Sequence, residues 1–137
     1  MAQEKLISQD GAFVIAADTV VAVGSRVLHK TDLPHIAESY MNLLSGRRHK
    51  VYSAVCVRAP DGRTANRVVE SVVGFARLDN TQLKSYLASQ EWQGKAGGYA
   101  IQGQAARFIE YLAGSYSGVV GLPLHETCKL LSGLGWR

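Results

Sequence analysis

The chain has 137 residues, 47% of them apolar, which suits one domain able to bury about two-thirds of the surface it exposes when unfolded. Two cysteines exclude a disulfide scaffold, and no apolar run reaches the length of a membrane span. A net charge of +4 and a pI near 9.2 suit a phosphate-bearing ligand, but the scattered Lys and Arg form no stripe for a nucleic-acid polymer. Cys56 and Cys128 each sit in an apolar pattern and are expected to be buried thiols in a reducing compartment. The N-terminus shows no basic-then-apolar signal, so a cytoplasmic protein with no membrane association is expected.

Residues 1–11 are polar, with Leu6 and Ile7 as their apolar anchors, and read as a frayed end or the tail of a helix. The run 13–23, rich in Val and Ile, reads as a strand buried on both faces. It contains one acid, Asp18, and the turn signal Gly24-Ser25 places that acid near one end of a central strand. A buried acid must be paired, bind a metal or face a pocket, so a functional acid and a turn cap or partner of a buried Arg both stay open here. Val27-Leu28 is a short apolar pair. Asp32 can cap a helix with Pro34 in its first turn, Ile36, Ala37, Tyr40, Met41 and Leu44 on one face, and Gly46 as its left-handed end. The alternation over 50–59 predicts a strand, Pro60-Asp61-Gly62 a turn, and 64–77 the returning strand of a long hairpin. Asp79 and Gln82 form a capping box for a helix that buries Leu83, Tyr86 and Leu87. A glycine-rich stretch over 94–103, a strand from Arg107 to Leu112 and a loop over 114–118 follow. The last helix has Pro123 in its first turn and Leu124, Cys128 and Leu131 inward. The order β-α-β-β-α-β-α predicts an α/β fold: a mixed twisted sheet with a long antiparallel hairpin and flanking helices.

No zinc spacing, P-loop or nucleophile elbow is present in the sequence. What remains is Asp18, the cations Lys30 and Arg47, a Gly-Lys loop at Lys95, and Gln102 between Ile101 and Gly103. Together they make sense for a nucleotide. Cations offset phosphate charge, glycines let backbone N–H groups approach closely, and an amide donates and accepts side by side along a base edge. An acid beside a polyphosphate is useful as a base for water or as a metal ligand.

Ala16-Ala17-Asp18-Thr19-Val20-Val21, Lys30, Leu44-Ser45-Gly46-Arg47-x-His49, Lys95-Ala96-Gly97-Gly98-Tyr99-Ala100-Ile101-Gln102-Gly103 and Gly114-Ser115-Tyr116-Ser117-Gly118-Val119-Val120-Gly121-Leu122-Pro123-Leu124 closely resemble the Maf family of nucleotide pyrophosphatases. The resemblance runs from about residue 13 to the C-terminus. It implies one Maf-like domain, similar in fold to the inosine-triphosphate pyrophosphatases. The implied activity is hydrolysis of dTTP, UTP and modified pyrimidine nucleotides to the monophosphate and pyrophosphate, assisted by Mg²⁺ or Mn²⁺. Asp18 aligns with the proton acceptor and is also a candidate metal ligand, and Thr19 and Gln102 align with positions tied to base choice. Lys30 aligns with a phosphate-binding lysine, although Thr31 stands where a Pro usually follows. Arg47, Glu91 and Lys95 are motif members without a fixed role. The implied partners are the nucleoside triphosphate and a second copy in a homodimer.

Family members begin with a further strand, a Ser-x-Ser-Pro-Arg-Arg loop that grips the triphosphate, and a helix bearing another acid and lysine. Residues 1–12 do not supply them, so the resemblance leads to the expectation of a domain lacking its first strand and arginine loop. Weaker triphosphate binding and an uncovered edge beside 13–23 would follow. A catalytically impaired nucleotide-binding or regulatory remnant of the same family is therefore the alternative reading. A small basic RNA-binding domain has only the net charge in its favour.

Overall fold

The structure, a computed structural model, describes residues 11–137. The strands are β1 (Val14–Val23), β2 (Arg26–Leu28), β3 (Arg48–Arg58), β4 (Thr64–Phe75) and β5 (Ile109–Ala113). The helices are α1 (Pro34–Leu44), α2 (Asn80–Ser89), α3 (Tyr116–Val120) and α4 (Leu124–Gly133), with 3₁₀ turns at Ala96–Gly98 and Gln104–Phe108. The strands form one sheet in the order β2-β1-β3-β4-β5. This is the α/β fold with a long β3–β4 hairpin that the order of elements predicts. Strand β2 runs antiparallel to β1, with Val21 opposite Leu28 and Val23 opposite Arg26. Strand β5 runs antiparallel to β4, with an irregularity between Gly74 and Phe75.

Several expectations need correction. Strand β1 is not buried on both faces: Val21 alone among its ten residues is buried, and Ile15 and Val20 are 44% and 37% exposed. The register of β2 spans only Val21 to Val23, so it covers none of the earlier part of β1. Asp18 is the fifth residue of β1, not near its end, because the strand continues for five residues past the acid before Gly24 turns it. The pair Val27-Leu28 belongs to a strand that the sequence does not reveal, since three residues are too short for a periodic pattern. Asp32 does not cap α1; Leu33 occupies that position without a side-chain bond, and Pro34 starts the helix. Residues 107–108 end a 3₁₀ turn, so β5 starts at Ile109. The expected loop at 114–118 contains the start of α3, because Ser115 caps it by accepting from the Gly118 N–H at 2.9 Å. In α4, Thr127, Leu130 and Leu131 are buried, whereas Leu124 is 57% exposed and Cys128 is exposed. Thr127 can face inward because its hydroxyl donates to the Pro123 carbonyl at 2.7 Å. Cys56 is buried as expected, and burial pushes its thiol pKa up. In α2 only Tyr86 is buried; Leu83 and Leu87 are half-covered. The reading of residues 1–10 lies outside the described residues.

The chain divides into two compact units. One comprises, of the described residues, 11–19, Tyr52–Glu70 and Ser115–Arg137. Its core joins Val55, Val57 and Ala59 to Leu130, Leu131 and Leu134, with Phe13, Ala65 and Leu122 packed against it. The hairpin turn belongs to this unit. The Gly62 N–H donates to the Ala59 carbonyl at 3.0 Å and Gly62 takes φ +92°, while Asp61 accepts from the Arg63 backbone and guanidinium at 3.1 and 2.8 Å. A Cβ at Gly62 would be strained by that φ, which explains the Pro-Asp-Gly composition.

The other unit comprises Val20–Val51 and Ser71–Gly114. Its buried side chains include Met41, Leu44, Phe75, Tyr86, Trp92 and Phe108. Helix α1 contacts α2 and the Ala96–Gly98 turn, which also contacts β2. The capping box of α2 is present: Gln82 N–H donates to Asp79 at 2.7 Å, and Asp79 N–H to the Gln82 side chain at 3.0 Å. Asp79→Ala is expected to lower stability by about 1 kcal/mol, read as a lower urea midpoint. An unchanged midpoint would mean that tertiary packing alone holds α2.

Candidate active site

In the first unit, Asp18 is half-buried in β1, and its Oδ1 accepts a hydrogen bond from the Thr19 N–H at 3.0 Å. Thr19 is also half-buried. Because side chains alternate along a strand, Asp18 and Thr19 point to opposite faces of β1.

In the second unit, Glu91, Lys95 and Gln102 line one open cleft of about 500 Å³, together with Gln90, Gln93, Ala100 and Gly103. Lys95 and Gln102 are exposed, and Gln102 lies on a tight turn closed by the Gly103 N–H to the Ala100 carbonyl at 3.0 Å. Glu91 supports this turn from the side: its Oε2 accepts from the Gln104 N–H at 2.9 Å, at the start of the second 3₁₀ turn. The glycine-rich stretch reaches this position by a close approach. At Gly97, φ is +70° and a Cβ would lie 2.8 Å from a Val21 methyl.

Arg47 lines a separate cleft of about 260 Å³ with Arg48, Gly74, Phe75, Glu110 and Tyr111. Arg48 is stacked there, its guanidinium 3.7 Å from the Tyr111 ring centre. Lys30 is exposed just after β2 and lines neither cleft. The structure thus brings together Glu91, Lys95 and Gln102, and does not bring Arg47 or Lys30 to the same cleft.

Sequence reasoning named His49 as a motif member but gave it neither a role nor a buried place. It is 2% exposed, its Nε2 is 2.5 Å from the Tyr99 hydroxyl, and its ring meets Phe75 and Tyr99 edge-on at 5.4 Å. The signal was available: the inward residues of β3 are Val51, Ser53 and Val55, and two residues back along the same face is His49. Burial lowers the His49 pKa from its ordinary 6.5 to about 4 and raises that of the Tyr99 hydroxyl well above its ordinary value. Both are therefore neutral at pH 7. An unfolded chain protonates this imidazole below pH 6.5 while the folded one resists until about 4, so stability is lost as pH falls through that window. The expected loss attributable to His49 at pH 5 is about 2 kcal/mol. Urea melts of His49→Gln should show that much less acid sensitivity between pH 7 and 5 than the parent. Equal sensitivity in both would contradict a neutral buried imidazole.

Among the described residues, no group of three or more His, Cys, Asp or Glu could hold a metal ion. No helix among them is long and apolar enough to cross a membrane.

A family model described as "Maf-like protein" matches residues 1–134, and the chain belongs to that family. Similar curated proteins carry the name dTTP/UTP pyrophosphatase. The one from Granulibacter bethesdensis is 59% identical over 91% of this chain and 59% of its own length. That from Maricaulis maris is 53% identical over 99% of this chain and 67% of its own, and that from Caulobacter vibrioides 57% identical over 93% and 66%. The chain thus spans about three-fifths to two-thirds of the length of these relatives.

Proposed function

We propose that the protein hydrolyses dTTP and UTP, and modified pyrimidine nucleotides, to the monophosphate and pyrophosphate. The observation that carries this reading is that relatives 53–59% identical over nearly the whole chain bear the name dTTP/UTP pyrophosphatase. The cleft shared by Glu91, Lys95 and Gln102 supports it, since a cation suits phosphate and an exposed amide suits a base edge.

In this mechanism water attacks the α-phosphorus, Asp18 takes its proton, the α–β phosphoanhydride bond breaks, and pyrophosphate leaves. Lys30 offsets phosphate charge. Thr19 and Gln102 bear on base choice, Glu91 holds the Gln102 turn, and Lys95 supplies further positive charge, while Arg47, in its separate cleft, takes no part in this step. A single half-buried carboxylate, without a cage of other ligands among the described residues, fits a cation that arrives on the triphosphate. Mg²⁺ and Mn²⁺ bind in this way, through one or two carboxylates and substrate phosphates. Asp18 and phosphate oxygens would hold such an ion, whose contribution is neutralisation of the leaving pyrophosphate. A cytoplasmic location would give access to the nucleotide pool.

The test is pyrophosphate release from dTTP, UTP, CTP and GTP with either cation. Faster release from dTTP and UTP is expected. Equal release from all four would remove the pyrimidine assignment, and release from none would remove the activity.

A further inference from the structure

His49 is buried with an unmatched nitrogen. Its Nε2 meets the Tyr99 hydroxyl, and its Nδ1 has no hydrogen-bond partner among the described residues. A neutral imidazole has one N–H and one lone pair, so in either tautomer a buried polar atom goes unsatisfied. The imidazole is the partner of the buried Tyr99 hydroxyl, so an apolar residue in its place would orphan that hydroxyl in turn.

The His49–Tyr99 bond acts on a particular piece of backbone. Tyr99 follows two consecutive glycines with positive φ, and the Gly98 carbonyl accepts from the Tyr86 hydroxyl at 2.7 Å. The chain is thus gripped at Gly98 by α2 and at Tyr99 by β3. Three residues on stands Gln102, and beyond it Gln104 is gripped by Glu91. The exposed amide of Gln102 sits on a turn clamped on both sides. Phe75, 5.0 Å from Tyr99, closes the aromatic cluster around the first clamp.

An amide can match uracil or cytosine by turning over, because it donates on one side and accepts on the other. Discrimination therefore needs a fixed frame, in which the turn's own backbone groups make the second contact. We propose that His49, through Tyr99, is a positioning residue that fixes the Ala100–Gly103 turn and thereby sets base selection by Gln102. This inference rests on the nucleotide reading above.

The test uses Tyr99→Phe, which removes only the hydroxyl, and His49→Gln, whose amide can still meet it. Two readouts are taken: the UTP to CTP ratio of kcat/KM for pyrophosphate release, and hydrogen exchange of the Gly103 and Gln104 amides without nucleotide. Tyr99→Phe is expected to lower the ratio about tenfold and to speed that exchange about tenfold, with β3 exchange unchanged. His49→Gln should retain most of the parent ratio. A parent ratio in Tyr99→Phe, or unaltered exchange at Gly103 and Gln104, would overturn the positioning role. A loss of melting temperature with both readouts intact would overturn it too, assigning the pair to stability alone. If the parent releases no pyrophosphate from either nucleotide, the nucleotide reading falls and base selection with it. The exchange result would still say whether the clamp exists.

Discussion

Asp18→Asn is expected to reduce pyrophosphate release from dTTP by about 10² to 10⁴-fold, the usual contribution of a positioned general base. The fold should survive. The bond from the Thr19 N–H to Asp18 Oδ1 can be made equally to the carbonyl oxygen of Asn, and the residue is only half-buried in β1. The loss should therefore appear in kcat, with a melting temperature within a few degrees of the parent. Turnover within about threefold of the parent would remove Asp18 from the role of base and return it to that of a locally hydrogen-bonded strand acid.

Gly97→Ala is expected to be the most damaging conservative change in the glycine-rich stretch. Its Cβ would lie 2.8 Å from Val21 Cγ1, 3.0 Å from Cβ and 3.1 Å from Cγ2, and Val21 is a stiff β-branched residue within a paired strand. Overpacking of this kind costs about 1–3 kcal/mol, and the left-handed φ of +70° adds about 1–2 kcal/mol for a residue with a Cβ. A total of about 2–5 kcal/mol should show in urea unfolding. Gly94→Ala, three residues earlier, provides the contrast, because nothing lies within 4 Å of its Cβ and only the backbone cost, from φ +66°, applies. Equal losses at both positions would show that the close approach to Val21 does not govern this stretch.

Much of this architecture was legible because local chemistry and tertiary environment agree. The capping box at Asp79 and Gln82, the Pro60-Asp61-Gly62 turn and the alternation along β3 each hold in the structure for the reason read from sequence. The errors arise where a tertiary partner decides. Cys128 and Leu124 look apolar and inward, but Thr127 satisfies its own hydroxyl and takes the buried face of α4. The Gly-Ser-Tyr-Ser-Gly segment has the composition of a loop, yet the Ser115 hydroxyl supports a helical turn there, and Ser53 donates to the Gly118 carbonyl at 2.6 Å.

The site was legible as a set of motifs rather than as a constellation. Glu91 had no role in sequence, because the bond it accepts comes from a backbone N–H thirteen residues away, which no spacing rule reports. His49 was hidden by its neighbours: Arg47, Arg48 and Lys50 are exposed, so a histidine among them reads as part of a basic surface cluster. Only the register of β3 reveals that it alone turns inward.

Attack by water on the α-phosphorus, the step on which every residue role above depends, is tested most directly by turnover of dTTP in ¹⁸O-labelled water, followed by mass analysis of both products. The predicted result is label in the thymidine monophosphate and none in the pyrophosphate. Label in pyrophosphate, or release of orthophosphate in place of pyrophosphate, would contradict the mechanism.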